Sequence, residues 1–192
     1  EMTTAKVFDQ ASIVTADDGT FTVDVTVTLE NTGDVDLDKL QIVDKLNDPT
    51  NMGTYFVSVE SAPVVTVVTD AAGTAIVSPL AASPAFDGKT NANLFNGTTG
   101  TLGVGDKISA KFKIKVDPNA TGTGALANTA TGSGADPKGT VASDKSGGGA
   151  GEGTGVPSTL TAPVYSPEMT TAKVFDQASI VTADDGTFTV DV

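Results

Sequence analysis

Two stretches of the chain alternate apolar and polar residues with a period of two, which is typical of half-buried antiparallel strands. In residues 21–30, FTVDVTVTLE, Phe21 and every second residue after it are apolar. Residues 107–116, KISAKFKIKV, alternate in the same way and carry four lysines on the polar face. We predict that each strand packs one face on a core. The lysines are expected to form a solvated face that protects an edge strand from unwanted pairing.

Turn-forming residues separate these strands from several others. ADDGT at 16–20 predicts a hairpin turn in which Asp18 and Gly19 supply the left-handed positions, and NTGD at 31–34 predicts a second turn. No stretch has a convincing helical period. Seven or more short strands with turns between them predict an all-β fold, an immunoglobulin-like antiparallel β-sandwich. The further predicted strands are 38–46, 54–60, 63–69, 73–79, 125–134 and 139–144.

The first 25 residues, EMTTAKVFDQASIVTADDGTFTVDV, recur letter for letter as residues 168–192. An identical copy at an offset of 167 residues indicates one full repeat of a tandem array followed by the start of the next repeat. Residues 146–167 are rich in Gly, Ser, Thr and Pro, a composition typical of linkers. We therefore predict a sandwich domain at 1–146, a linker at 147–167 and the first hairpin of the next, identical repeat at 168–192.

Charge and composition exclude several classes of function. The formal net charge is −13, from 11 basic and 24 acidic residues, so the surface should repel nucleic acid and anionic lipid. The chain has no His and no Cys, which removes the usual ligands of zinc and the usual catalytic nucleophile systems. No apolar run is long enough to insert into a membrane. We expect a protein that is not an enzyme and that has no cofactor.

Calcium is the one metal that the sequence leaves open. Asp17 and Asp18 are adjacent in the first predicted turn, and paired carboxylates can hold Ca²⁺. A calcium ion takes six to eight oxygen ligands, however, and this turn offers few of them. The simpler interpretation is a solvated hairpin turn.

Three polar residues share strand parity with apolar neighbours and should point towards the core. Lys6 has the parity of Phe8, Asp44 that of Ile42, and Asn128 that of Leu126. Burial makes a lysine costly and favours its uncharged, nucleophilic form. These residues could form an isopeptide bond between Lys6 and Asn128, with Asp44 as a neutral acid that polarises the Asn carboxamide. In the alternative, Lys6 is exposed, Asp44 ends a strand and Asn128 is satisfied by the backbone.

The order of motifs over residues 5–146 resembles a known family. VTLENTGDVDLDKLQIVDKL, AFDGKTNANLFNGTTGTLGVGDKISAKFKIKV and ALANTATGSGADPKGTVASDKS follow one another as in the immunoglobulin-like repeats called domain of unknown function eleven. These repeats occur in large bacterial surface proteins and adhesins. The resemblance implies a stalk-like role at the bacterial surface. Related repeats often end in an Asp-rich run suited to calcium, whereas this chain has only Glu152 there.

We therefore expect a structural repeat, a stalk or spacer, of an exported adhesin-like or filament protein that lies outside the cell. Its partners would be neighbouring identical repeats. One alternative is a filament subunit in which consecutive repeats, or other copies of the chain, exchange β-strands. Another is an adhesive domain that depends on calcium or a glycan, although Tyr55 and Tyr165 are the only tyrosines and form no sugar-stacking cluster.

Overall fold

The computed structural model describes residues 1–78, 80–97, 100–147, 155–164 and 171–191. Within them the chain forms antiparallel strands and two 3₁₀ turns, Gly53–Tyr55 and Gln177–Ser179, and no α-helix. The predicted all-β fold is confirmed. The strands are β1 (Thr3–Thr15), β2 (Phe21–Glu30), β3 (Asp38–Val43), β4 (Phe56–Thr69), β5 (Lys107–Val116), β6 (Ala127–Asn128), β7 (Thr131–Ala135), β8 (Val141–Lys145), β9 (Ser158–Thr159), β10 (Val181–Thr182) and β11 (Phe188–Thr189).

Two sheets enclose one hydrophobic core in an immunoglobulin-like sandwich. The larger sheet has the order β1-β2-β5-β4 and the smaller one the order β3-β7-β8. The two strands with the clearest alternation, β2 and β5, pair without a break from Phe21 opposite Val116 to Glu30 opposite Lys107. Their apolar faces meet residues of the smaller sheet and its loops. The core includes Val23, Val25, Val27, Leu40, Ile42, Leu94, Phe95, Phe112 and Ile114.

The lysine face of β5 has a different role from the predicted one. Because β5 lies between β2 and β4, it is not an edge strand. Lys111 and Lys113 instead form ion pairs with Asp24 on β2, at 2.8 and 2.6 Å. Asp9 on β1 lies directly opposite Asp24, an arrangement of like charges that is destabilising by itself. The two lysines offset that repulsion.

Strand β4 joins two segments that the sequence analysis separated at Pro63. Pro63 lies inside Phe56–Thr69, where the pairing with β5 shifts register between Ser61 and Val64. A proline lacks the amide hydrogen that a central strand needs, and it is tolerated on an edge strand or at a bulge. Both conditions hold for β4. Of the strand predicted at 73–79, the described residues 73–78 form a single bridge, between Thr69 and Ala75.

The predicted linker at 147–167 contains a strand of the domain. Ser158 and Thr159 form β9, which pairs with β6, and Leu160 is buried with 4% of its surface exposed. Ala162 also packs against the core. The composition of the segment is that of a linker, but Leu160 and Ala162 supply apolar side chains that pack on the core.

The second copy of the duplicated segment forms a small hairpin of its own. Its strands β10 and β11 pair with each other and with no other described strand. Phe175 and Phe188 are 53% and 63% exposed, whereas their counterparts Phe8 and Phe21 in the first copy are 5% and 0% exposed. An isolated two-stranded hairpin is marginally stable in water.

The tip of the hairpin is nevertheless the same in both copies. In the first copy, the Ser12 hydroxyl donates to the Asp9 carbonyl at 2.7 Å and accepts from the Asp24 amide at 2.8 Å. The equivalent residues of the second copy make both bonds, at 2.8 and 2.7 Å. In the predicted turn at 16–20, Gly19 has a φ of 82°, whereas Asp18 does not adopt a left-handed conformation. Local polar contacts therefore determine the tip without help from the sheet.

The first prediction concerns Gly132 of β7, which faces residues of β1 and β2 across the core. A methyl group on Gly132 would overlap the Thr4 hydroxyl and the Leu29 side chain, whereas one on Gly134 would lie 3.1 Å from Leu40. We expect Gly132→Ala to lower the free energy of unfolding by about 1–3 kcal/mol, the usual cost of overpacking a core. Gly134→Ala, in the same strand, is the control and should cost less. Equal losses in urea unfolding would contradict this account.

The second prediction concerns the pH dependence that Asp24 contributes. Hydrogen bonds from Lys111 and then Lys113 hold the pKa of the Asp24 carboxyl below its usual range. A lowered pKa means that the stabilisation is complete above about pH 4 and is lost as the pH falls through the folded-state pKa. We expect Asp24→Asn to lower the free energy of unfolding by about 1 kcal/mol at pH 7, as for partly exposed pairs. The difference from wild type should vanish near pH 2.

The matched control for this pH series is Asp34→Asn, which changes an exposed carboxylate in the turn after β2. Urea unfolding of the three proteins between pH 7 and pH 2 measures the effect. A difference between wild type and Asp24→Asn that is constant with pH would show that Asp24 acts through packing and not through its charge.

Candidate functional site

Lys6, Asp44 and Asn128 meet in the core. Lys6 lies on β1, Asp44 directly follows β3, and Asn128 ends β6. The Lys6 Nζ atom is 2.5 Å from Asp44 Oδ2, and the Asn128 Nδ2 atom donates to Asp44 Oδ1 at 2.6 Å. The Lys6 and Asp44 side chains are fully buried, and Asn128 is 0% exposed. One carboxylate thus joins an amine and a carboxamide.

The strands bring these residues together because each keeps the inward parity of its apolar neighbours. Lys6 lies opposite Val27 of β2, two residues before the buried Phe8. The amide of Asp44 donates to the carbonyl of Ala92 at 2.8 Å, which continues the ladder past the end of β3. Lys6 Nζ lies 5.3 Å from the centroid of the Phe8 ring and 6.0 Å from that of Phe112. The alternative of an exposed Lys6 is therefore wrong.

Burial dominates the electrostatics of the lysine. Loss of hydration lowers the pKa of the Lys6 amine, and the nearby Asp44 carboxylate opposes this shift without cancelling it. Two charges removed from water cost several kcal/mol each, and their mutual attraction repays that cost only with good geometry and further hydrogen bonds. Proton transfer from Lys6 to Asp44 would remove both charges and leave a free amine beside a carboxylic acid.

Asn128 leaves one polar atom without a partner. Its Oδ1 atom is buried and accepts no hydrogen bond from the described residues. A buried carbonyl oxygen without a donor costs about 1–3 kcal/mol, and such groups are uncommon in folded proteins. A protonated Asp44 would be a donor for this oxygen if the carboxamide turned over, because the orientation of an amide follows its hydrogen bonds.

The arrangement therefore has the parts needed for amide bond formation. Lys6 supplies an amine nucleophile, and burial disfavours the charged form of that amine. Asn128 supplies an acyl group whose oxygen lacks a hydrogen-bond donor. Asp44 contacts both and can carry a proton between them. The aromatic rings of Phe8 and Phe112 keep water away from the amine.

The calcium candidates Asp17 and Asp18 are placed less favourably. Asp18 accepts hydrogen bonds from the amide and hydroxyl of Thr20, and Lys115 lies 3.4 Å from its carboxylate. These contacts lower the pKa of Asp18. No group of three or more acidic residues suited to a metal occurs in the described part of the chain. None of the described residues belongs to a helix that could span a bilayer.

Sequence reasoning missed Ser158, Phe112 and Leu160 as parts of this site. The Ser158 hydroxyl donates to the main-chain carbonyl of Lys6 at 2.6 Å. Phe112 belongs to the apolar face of residues 107–116, but nothing in the sequence places its ring beside Lys6. For Ser158 the available signal was weak: Leu160 and Ala162 are apolar residues two positions apart in a polar segment.

No protein-family model matches the chain, and no curated protein matches its sequence. Two solved structures are similar to it: BcpA, the major pilin subunit of Bacillus cereus, and a variant of that subunit. The sequence identity is 13% with BcpA and 12% with the variant, and the TM-scores are 0.42 and 0.45. Each match covers 76% of this chain and 38% of the pilin chain. The chain thus spans less than half the length of these subunits.

Proposed function

We propose that this chain is a structural module of a bacterial surface protein that joins Lys6 to Asn128 by an intramolecular isopeptide bond. The observation that carries the proposal is the buried Asp44 carboxylate, which contacts both the Lys6 amine and the Asn128 carboxamide. The reaction occurs once per molecule and turns over no substrate, so the module is not an enzyme. It needs no cofactor.

The proposed step conserves atoms and involves no oxidation. Lys6 first passes a proton to Asp44, and the neutral Nζ attacks the Asn128 side-chain carbonyl carbon. A carbon–nitrogen bond to Lys6 forms while the bond to the original amide nitrogen breaks. Asp44 transfers protons from the attacking nitrogen to the departing one, which leaves as ammonia. Fixed geometry inside the core supplies most of the rate advantage.

The expected benefit is mechanical and thermodynamic stability. The bond would close a loop of 128 − 6 = 122 residues, which contains β2, β4 and β5 of the larger sheet. By analogy with a disulfide that closes a loop of this length, restriction of the unfolded chain stabilises the fold by about 5 kcal/mol. The sandwich has no disulfide to supply this, because the chain lacks Cys.

The placement in a tandem array at the cell surface rests on the sequence. The exact duplication of residues 1–25 supports an array, and the resemblance to surface repeats supports export. In this arrangement residues 168–192 begin the next module, whose remaining strands cover Phe175 and Phe188. The net charge of −13 discourages neighbouring modules from associating.

The third prediction is that the purified chain is lighter than its sequence by one molecule of ammonia. Lys6→Ala and Asn128→Ala should each restore the full mass, because each removes one reacting group. Both variants should unfold about 10–20 °C below wild type, the shift that corresponds to about 5 kcal/mol for a chain of this size. Intact mass spectrometry and thermal unfolding measure these effects.

Lys45→Ala is the control for this series, since it removes an exposed lysine next to Asp44. It should keep the mass deficit and the unfolding temperature of wild type. A well-folded wild-type chain of full mass would refute the isopeptide bond. The module would then rely on the buried ion pair alone.

A filament of strand-exchanged subunits is the second candidate function. It is favoured by the exposed apolar face of the second hairpin, where Phe175, Ile180 and Phe188 are 53%, 39% and 63% exposed. In such a filament this hairpin replaces residues 1–25 of another chain. Lys173, the copy of Lys6, would then lie beside Asn128 of the acceptor.

The fourth prediction separates the two functions by the identity of the cross-linked lysine. If the chain is a stalk module, trypsin should release peptide 1–39 joined through Lys6 to peptide 116–138. The chain should then run as a monomer on a denaturing gel. In the filament, peptide 146–192 should be joined to 116–138 through Lys173, with a ladder of covalent oligomers. We expect the first result. Deletion of residues 165–192 is the control that removes any ladder.

A further inference from the structure

The segment 155–164 is anchored to the domain by backbone pairing and by burial. Within the described residues β6 has β9 as its strand partner, with Ala127 opposite Thr159 and Asn128 opposite Ser158. The amide of Leu160 donates to the carbonyl of Leu126 at 2.7 Å. Leu160 is 4% exposed and belongs to the core. Removal of this leucine side chain from water favours the docked position of the segment.

Ser158 contacts the backbone on both sides of the proposed bond. It is the pairing partner of Asn128, and its hydroxyl donates to the carbonyl of Lys6 at 2.6 Å. It touches none of the reacting atoms, so its role is to position the residues that carry them. Strand β1 and strand β6 do not pair with each other, and β9 connects them.

The docked segment also affects Asn128. Strand β6 has two residues, and β9 supplies its backbone pairing. Apart from β9, the neighbouring Thr129 is held by the Asn51 side chain, which accepts from its amide at 3.2 Å. Loss of β9 would remove the backbone partner of Asn128 and the hydroxyl that binds the Lys6 carbonyl.

We propose that residues 155–162 complete the cross-linking site, so that the bond between Lys6 and Asn128 forms efficiently only when this segment is docked. The inference rests on the proposed isopeptide bond. The segment that follows the domain then contributes to the cross-linking site of that domain. Ser158 is the positioning residue, and Leu160 anchors the segment to the core.

The fifth prediction is tested on the full chain, purified in denaturant before the bond forms and then refolded by dilution. Intact mass follows the loss of ammonia, and circular dichroism follows the formation of the sheets. Ser158→Ala should fold at the wild-type rate but lose ammonia about tenfold more slowly, as expected when one hydrogen bond of about 1.4 kcal/mol is missing. Leu160→Asp should fold and keep its full mass over the time in which wild type reacts completely.

Thr161→Ala is the matched control, because Thr161 is exposed in the same segment. It should react at the wild-type rate. The inference is overturned if Leu160→Asp, once folded, loses ammonia as fast as wild type. If Leu160→Asp does not fold, Ser158→Ala decides, and a wild-type reaction rate in that variant overturns the inference.

Failure of the proposed bond itself gives a different result. The wild-type chain would then retain its full mass after refolding, whatever the state of the segment. Loss of ammonia in wild type together with equal rates in all three variants would refute the positioning role alone.

Discussion

The structure depends on the contact that the Asp44 carboxylate makes with Lys6 and Asn128. These three residues come from β1, from the end of β3 and from β6, segments that lie far apart in the chain and belong to different sheets. A buried ion pair alone is weak support for a fold, because desolvation cancels much of the attraction. The contact stabilises the fold to the extent that the charges of Lys6 and Asp44 are neutralised. Conversion of the Lys6 amine and the Asn128 carboxamide into a neutral amide, the bond proposed above, would achieve this. It would also leave a protonated Asp44 as a donor beside the buried carbonyl oxygen that lacks one.

The parts of the fold that sequence could predict are those encoded by strong, local patterns. The alternation in β2 and β5 gave their bounds to the residue, since no competing signal interrupts it. The parity of Lys6, Asp44 and Asn128 likewise pointed inward. Their mutual distances could not follow from parity, because they depend on which strands become neighbours. The role of the lysine row in β5 was missed for the same reason, as strand order determines whether a charged face guards an edge or pairs with Asp24.

Comparison of the two copies of the duplicated sequence distinguishes structure that local contacts determine from structure that needs tertiary packing. The tip of the hairpin, with its serine and aspartate hydrogen bonds, is alike in both copies. The base differs: residues 3–9 pair with β2 in the first copy, whereas the described equivalents in the second copy, 171–176, form no strand. The apolar residues of the base, such as Phe8, have nothing to pack on without β5 and the opposing sheet. Identical side chains are therefore core residues in one place and surface residues in the other.

The position of the proposed bond has a consequence for a chain under tension. If repeats follow one another at the observed offset, a pulling force enters at β1, crosses from Lys6 to Asn128 and reaches Lys173 of the next repeat. Only 173 − 128 = 45 residues of each 167-residue repeat then lie on the load-bearing path. Fully extended, that path is at most about 160 Å, against about 600 Å for the whole repeat. In such an array the pairing of β2 with β5 would be shielded from the load, whereas the two-residue pairing of β6 with β9 would lie on the loaded path.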